Sequence, residues 1–341
     1  MKRLPFIVAC LAVSISSLGQ SYRMETIAQS SYQWTGIAIS KSNRIFVNYP
    51  TWDVKSPFKV AELINGKEVP YPTKHANKHF VCVQSVVIDK LDRLWVLDPA
   101  NPQFKGVVKS GAKLYQYDLK TNHLVREYRF TNSVAPTDSY LNDLRVDTER
   151  EIAYITDSQL GGIVVLDLKT GDAYRALDNS SPKLLANLDA IEFESTGKWG
   201  NKVHSDGIEL SHDGNTLYFT ALTGNILYSV PTDALRNKTL TVSQRAAAVE
   251  SENALNVPTD GMILVGSKLY MADLPVEGVW KYNLATGEGI TIPLNEKVRW
   301  ADSFAADSDG NIYFTCSQIN YPVNQRVKYK LIKLTKITST Q

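Results

Sequence analysis

Cysteine is nearly absent, with three residues in 341, and Cys10 lies in an N-terminal apolar run. Only Cys82 and Cys316 would remain in a mature chain, too few to build a disulfide framework. An oxidising compartment would allow them to pair. They fall in repeats that are not neighbours, however, which favours two free or partly buried thiols. Charge of one sign is lacking too: 37 Lys and Arg stand against 35 Asp and Glu, and no basic stripe is present to neutralise phosphates, so nucleic acid is not the partner. Beyond residue 19 no apolar run is long enough to cross a bilayer. No G-x-S-x-G elbow, Walker loop, dinucleotide fingerprint or H-E-x-x-H motif occurs, and elbow-type serine hydrolysis and nucleotide chemistry lose their basis.

Residues 1–19, MKRLPFIVACLAVSISSLG, have a basic start at Lys2-Arg3, an apolar stretch and small residues at the end. That is the pattern of a secretory leader cut near Gly19 or Ser21. Losing Lys2 and Arg3 with it leaves 35 cationic side chains against 35 acidic ones. Cys10 is too close to the start to be an acylation site. The mature protein, residues 20–341, is expected to be a secreted or periplasmic monomer with no membrane attachment.

The stretch from His204 to Val230 is the unit of organisation. Asp206-Gly207 opens it, Ile208 and Leu210 alternate, Asp213-Gly214 turns the chain, and Leu217-Tyr218-Phe219 returns. Alternation about a D-G turn is a β-hairpin, because glycine accepts the positive φ of a tight turn. Copies recur as WTGIAISKSNRIFVNY, VQSVVIDKLDRLWVLD, LNDLRVDTEREIAYITD, TDGMILVGSKLYMAD and ADSFAADSDGNIYFTC. Units of this size predict an all-β fold, a six-bladed β-propeller forming one domain. The last repeat shows only three strands, ending at Leu334. The run 22–33 is therefore expected to join it as an outer strand and clasp the ring, the other reading being an unpaired leader segment.

In this alignment Thr35, Gln84, Asn142, Asp206, Asp260 and Asp302 are equivalent. Each opens the innermost strand of a blade, so the six side chains converge on one end of the channel. The excursions 65–80, 131–140 and 178–203 all precede innermost strands and should lie over that end, whereas turns at the other end look short. Three carboxylates drawn into one opening must take up protons or acquire a cation. An all-oxygen set made of Asn142, Asp206, Asp260 and Asp302 suits a divalent cation such as calcium. The alternative is that each Asp caps backbone amides at the bend into its strand.

The returning strands end at Tyr49, Asp98, Asp157, Ala221, Asp273 and Cys316. Asp98, Asp157 and Asp273 are candidates to contact a ligand or to hold loops. Trp34 and Trp300, beside ring positions, are candidates for an aromatic pocket floor, with Thr35 a further ligand-binding candidate and Gln84 an oxygen donor. His75, His79 and His204 fall near the same end. Of these His204 is the candidate proton-transfer group, since imidazole titrates near neutrality. Asp307-Ser308-Asp309-Gly310-Asn311 imitates half of an EF-hand but sits on a hairpin turn and lacks the distal Glu.

Arg93-Leu94-Trp95-Val96-Leu97-Asp98, Leu141-Asn142-Asp143-Leu144-Arg145, Ala153-Tyr154-Ile155-Thr156-Asp157, Gly162-Ile163-Val164-Val165-Leu166-Asp167 and His204-Ser205-Asp206-Gly207-Ile208 resemble, in that order, the major royal jelly/yellow protein family. The resemblance covers roughly residues 30–335. It implies a secreted six-bladed propeller, with roles ranging from dopachrome conversion to binding of biogenic amines and nutrition. More distantly the chain is similar to the gluconolactonase/senescence-marker propellers, which hold a divalent metal through Glu, Asn and Asp at blade starts. Asp206-Gly207, Asp260-Gly261 and Asn142 match that pattern, and Thr35-Gly36 departs from it. The leading expectation is a metal-assisted, lactonase-like hydrolase acting on a small molecule at the channel mouth, with Asp206 or Asp260 as ligand and base. Beside it stand a dopachrome-type tautomerase using His204 and a non-catalytic binder of small amines.

Overall fold

The computed structural model describes residues 21–337, so the expected leader, residues 1–19, lies outside the described residues. Six four-stranded antiparallel sheets follow one another around an axis. Blades 1 to 5 take their innermost strands from Ile37–Ile39, Ser85–Ile88, Leu141–Asp147, Ser205–Leu210 and Met262–Val265. Each sheet then runs outward in sequence order. Blade 6 is built from Ala301–Ala306, Ile312–Cys316 and Tyr329–Ile337, and its fourth, outer strand is Ser21–Ser30 from the other end of the chain. The clasp runs in register from Ser21↔Ile337 to Ser30↔Tyr329, with one bulge between Thr26 and Ala28. A hydrogen bond of 2.9 Å between the Tyr22 and Tyr270 hydroxyls ties this strand to blade 5 as well.

The core consists of apolar clusters at the seams between blades. Along Arg93–Asp98, Leu94 and Val96 pack toward blade 1 while Trp95 and Leu97 pack toward blade 3. Successive side chains of a strand point to opposite faces, and here both faces meet a neighbouring blade. That is why these strands read as nearly unbroken apolar runs. The inner hairpins all turn through one left-handed residue, at Asn43, Asp92, Glu151, Gly214, Gly266 and Gly310. In blade 6 the Asp307 carboxylate accepts from the Asp309 and Asn311 amides across such a turn, so the EF-hand-like run is a hairpin cap.

Two expectations about connections need correction. Residues 65–80 are only partly an excursion, because Lys67–Pro70 is the outer strand of blade 1. The channel end opposite the ring is not made of short turns throughout. In blade 4 the third strand reaches the outer one through two short helices, Thr232–Arg236 and Val242–Ala247, the second opened by a reciprocal Thr241/Gln244 capping box. Cys82 and Cys316 are both buried and unpaired.

Candidate functional site

The ring positions owe their geometry to the entry of each innermost strand. In blade 3, Leu141 pairs with Asp157 and Leu144 with Ile155, so Asn142 and Asp143 together face Thr156. The same two-against-one bulge sets Asp206-Gly207 against Thr220 and Asp302-Ser303 against Thr315. A bulge bends the strand and re-aims its side chains, here toward the axis. Neighbouring blades are then stitched there: the Thr156 hydroxyl donates to the Asp206 carbonyl (2.7 Å), the Gly261 amide to the Asp302 carbonyl (2.9 Å), and the Thr315 hydroxyl to the Thr35 carbonyl. A Cβ on Gly207 would lie 2.4 Å from the Asp260 carbonyl oxygen, and one on Gly261 2.6 Å from that of Asp302. Only glycine permits this approach.

A cavity of about 700 Å³ opens at this end, and Gln84, Asn142, Asp206, Asp260 and Asp302 line it. The sixth ring position does not. The Thr35 hydroxyl donates to the Gln84 carbonyl (3.1 Å) and accepts from the Asn48 amide (2.8 Å), closing a seam between blades 1 and 2. The Asn142 amide donates to Asp206 at 2.5 Å, and the Trp300 indole N–H donates to Asp260 at 2.6 Å. Trp300 holds φ of 61°, an unusual conformation for a bulky residue that its indole bond helps to fix.

The three carboxyl groups are 3 to 7% exposed. Among the described residues none of them forms an ion pair. Burial pushes Asp206 and Asp260 well above the usual carboxylate range. The negative charges of Asp143 and Asp302 add to this for Asp206, and those of Asp302 and Asp206 for Asp260. Asp302 is pushed up to about 7, again mainly by burial, against a hydrogen bond of 3.3 Å from Ser303. At neutral pH the cluster therefore holds protonated carboxyl groups beside one poised to ionise.

Aromatic walls rise above this floor. On the side of blades 1 to 3, Trp52 stacks on Phe104 (centroids 5.8 Å apart), which lies 4.5 Å from Tyr140. On the other side Trp199 meets Trp300 edge-on at 5.0 Å. Lys105, Lys202 and Arg326 line the same cavity. Most of these residues escaped the sequence reading. Trp52, Phe104, Lys105 and Arg326 belong to connections that follow the returning strands, whereas the sequence drew attention only to those preceding innermost strands. The signal available was the length of these connections and the aromatics within them. Trp199 comes from 178–203, where Ile191–Phe193 and Gly197–Trp199 form a two-stranded ribbon.

Other candidates lie elsewhere. The Trp34 indole N–H donates to the Lys330 carbonyl inside the blade 6 to blade 1 seam. Asp98 accepts from the amides of Val81, Cys82 and Ala100, and Asp157 from Ser139, the Tyr140 amide and Arg175. Asp273 accepts from Thr291 at 2.5 Å. Asp98 and Asp157 hold loops, Asp273 ties to the outer strand Glu288–Thr291, and none of the three lines the cavity. His204 is half-buried, also outside the lining, and its Nδ1 accepts from the Ala186 amide at 3.0 Å. Burial lowers its proton affinity, so the ring stays neutral. His75 and His79 pack against each other away from the cavity.

As a metal site, the oxygen-rich floor has the right chemistry for a hard cation. Its geometry does not fit: one oxygen of Asp260 is engaged by Trp300, and among the described residues no three acidic, histidine or cysteine groups are arranged to hold one ion.

Comparison with known proteins gives a match between residues 81–260 and the family model described as major royal jelly protein. Major royal jelly protein 5 of Apis mellifera is 28% identical over 225 residues, which is 59% of this chain and 35% of that protein. Dopaminechrome tautomerase of Drosophila melanogaster is 24% identical over 230 residues, 58% of this chain and 48% of that one. The chain thus matches about a third to a half of these relatives' length. Among solved structures, a gluconolactonase from Xanthomonas campestris superposes with a TM-score of 0.58 at 14% identity, covering 93% of this chain and 90% of that one. At that identity the likeness is one of fold.

Proposed function

From the chain's membership of the major royal jelly protein family we propose that its cavity takes a small planar aromatic molecule bearing a positively charged nitrogen, and that the carboxyl cluster moves a proton on it. The observation carrying this reading is that three buried carboxyl groups without a cationic partner lie beneath aromatic walls. A cationic nitrogen favours ionisation of these carboxyl groups, and the indole and phenyl faces attract both its charge and its ring. Asp302, ionising near neutrality, accepts a proton from a C–H beside the conjugated system. The electron pair of that bond moves into the conjugation, and a carboxyl of Asp206 or Asp260 delivers a proton at its far end. Nothing is oxidised or reduced overall, so the reaction is an isomerisation. Acid and base are drawn from one cluster because their environments separate their proton affinities. The resemblance to dopaminechrome tautomerase points the same way. The apolar leader and the royal jelly relatives support an exported protein.

A metal-assisted lactonase is the competing reading: the acidity of the floor favours it, and the absence of a converging ligand set among the described residues counts against it. Purified protein is to be assayed for decay of dopaminechrome absorbance and, by calorimetry, for binding of tyramine and calcium. We expect accelerated conversion, tyramine binding that survives chelation, and His204→Ala activity within about twofold of wild type, because that ring is committed to the Ala186 amide. Absence of both conversion and amine binding overturns the proposal. Calcium binding with chelator-sensitive hydrolysis of lactones replaces it with the lactonase.

A further inference from the structure

Gln84 was expected to offer an oxygen to the ring, and its hydrogen bonds imply the opposite. The Trp52 indole N–H, a donor with no lone pair to offer, points at the Tyr140 hydroxyl oxygen at 2.8 Å. Tyr140 thereby accepts there and has its own proton to place. Two acceptors are in reach. The Gln84 side-chain oxygen is 2.8 Å away, and the Cys82 sulfur, a weak acceptor, is 3.7 Å away. The short contact takes the proton. Tyr140 is fully buried, and burial holds its phenol protonated far above neutral pH, so the donor does not vanish under working conditions.

With its oxygen bound to Tyr140, Gln84 must turn its –NH₂ group the other way. Gln84 lines the cavity, and the acids of blades 4, 5 and 6 are set around the same opening. We propose that Gln84 is a specificity-determining donor whose –NH₂ grips an oxygen of the ligand, and that Trp52 and Tyr140 fix its orientation. The ligand class narrows accordingly to aromatic or quinonoid molecules carrying a cationic nitrogen and, at the ring's far side, a phenolic or carbonyl oxygen. For a carbonyl oxygen that gains negative charge as a proton is removed elsewhere, the same N–H bond strengthens during the reaction. This inference rests on the cationic-aromatic reading above and goes beyond it by assigning the second end of the molecule.

The test compares tyramine with phenethylamine, which differ by one phenolic oxygen, using calorimetry on the full mature chain. Wild type is expected to bind tyramine about tenfold more tightly, the scale of one well-made hydrogen bond to a buried group. Gln84→Met should reduce that preference, read as the ratio of the two dissociation constants, to less than about twofold. Tyr140→Phe should do the same although Gln84 is intact, because the amide is then free to turn, and the double variant should lose no more than either single one. Trp52→Phe provides a milder form of the same loss should Tyr140→Phe fold poorly. Equal binding of both amines by wild type, or a tyramine preference that survives Gln84→Met, overturns the role of Gln84 and leaves the cationic-aromatic reading standing. Binding of neither amine sinks both.

Discussion

Asp302→Asn is expected to raise the melting temperature and to abolish the proposed isomerase activity in the same protein. Asp302 is buried, lies beside Asp260 and Asp206, and titrates at about 7 in the folded chain, against an ordinary value of 3.8. A carboxyl group whose proton affinity rises on folding contributes its full stability only in acid. That contribution is lost as pH rises from about 4 through about 7, since the unfolded chain releases the proton first. The asparagine variant has no proton to lose. Its advantage over wild type should be negligible near pH 4, grow up to about pH 7 and level off above, reaching several degrees in scanning calorimetry. Conversion of dopaminechrome should fall by at least about 100-fold, the usual scale for removing a general base. A variant that is less stable than wild type at pH 8, or one that retains full activity, contradicts the assignment.

Removing residues through Ser30 has the largest structural effect expected. Among the described residues the strand Ser21–Ser30 is the only part of blade 6 from the N-terminal side, and it contributes to two seams at once. Tyr22 and Met24 pack against the blade 5 to blade 6 cluster, and Ile27 and Ala28 against the blade 6 to blade 1 cluster. Deletion strips the hydrogen bonds of Tyr329–Ile337 along its outer side and opens the ring where its two ends meet. Each partly buried large apolar side chain is worth on the order of 1 kcal/mol, before the lost ladder is counted. The truncated chain should melt more than about 10 °C lower in scanning calorimetry. Melting within about 2 °C of the full-length protein would show that the seam closes without the clasp.

The repeat was legible because the inner two strands of each blade are buried on both faces and carry an unbroken apolar code, as Trp95, Leu97, Tyr154 and Phe219 illustrate. Outer strands are half solvated, so Lys67–Pro70 and Glu250–Ala254 read as loop or followed an unforeseen pair of helices. Five of the six ring residues reach the cavity, since a repeat fixes equivalent positions without knowledge of the loops. What the sequence could not convey was direction. Whether Gln84 shows its oxygen or its nitrogen is settled by Tyr140, 56 residues away, and the acceptors of Asp98, Asp157 and Asp273 are filled by local amides and hydroxyls that no spacing announces. The aromatic walls were hidden for a related reason, since Trp52 and Phe104 lie in connections without period.

The central claim is that Asp206, Asp260 and Asp302 share one buried space, in which Asp206 and Asp260 keep protons at neutral pH while Asp302 begins to ionise. Infrared spectroscopy of the carboxyl C=O stretch measures this directly. A band from protonated carboxyl groups should persist at pH 7, shrink when tyramine is added, and weaken in step with asparagine substitution at the three positions. Complete ionisation of every carboxyl by about pH 5.5, with no band responsive to ligand or substitution, would contradict it.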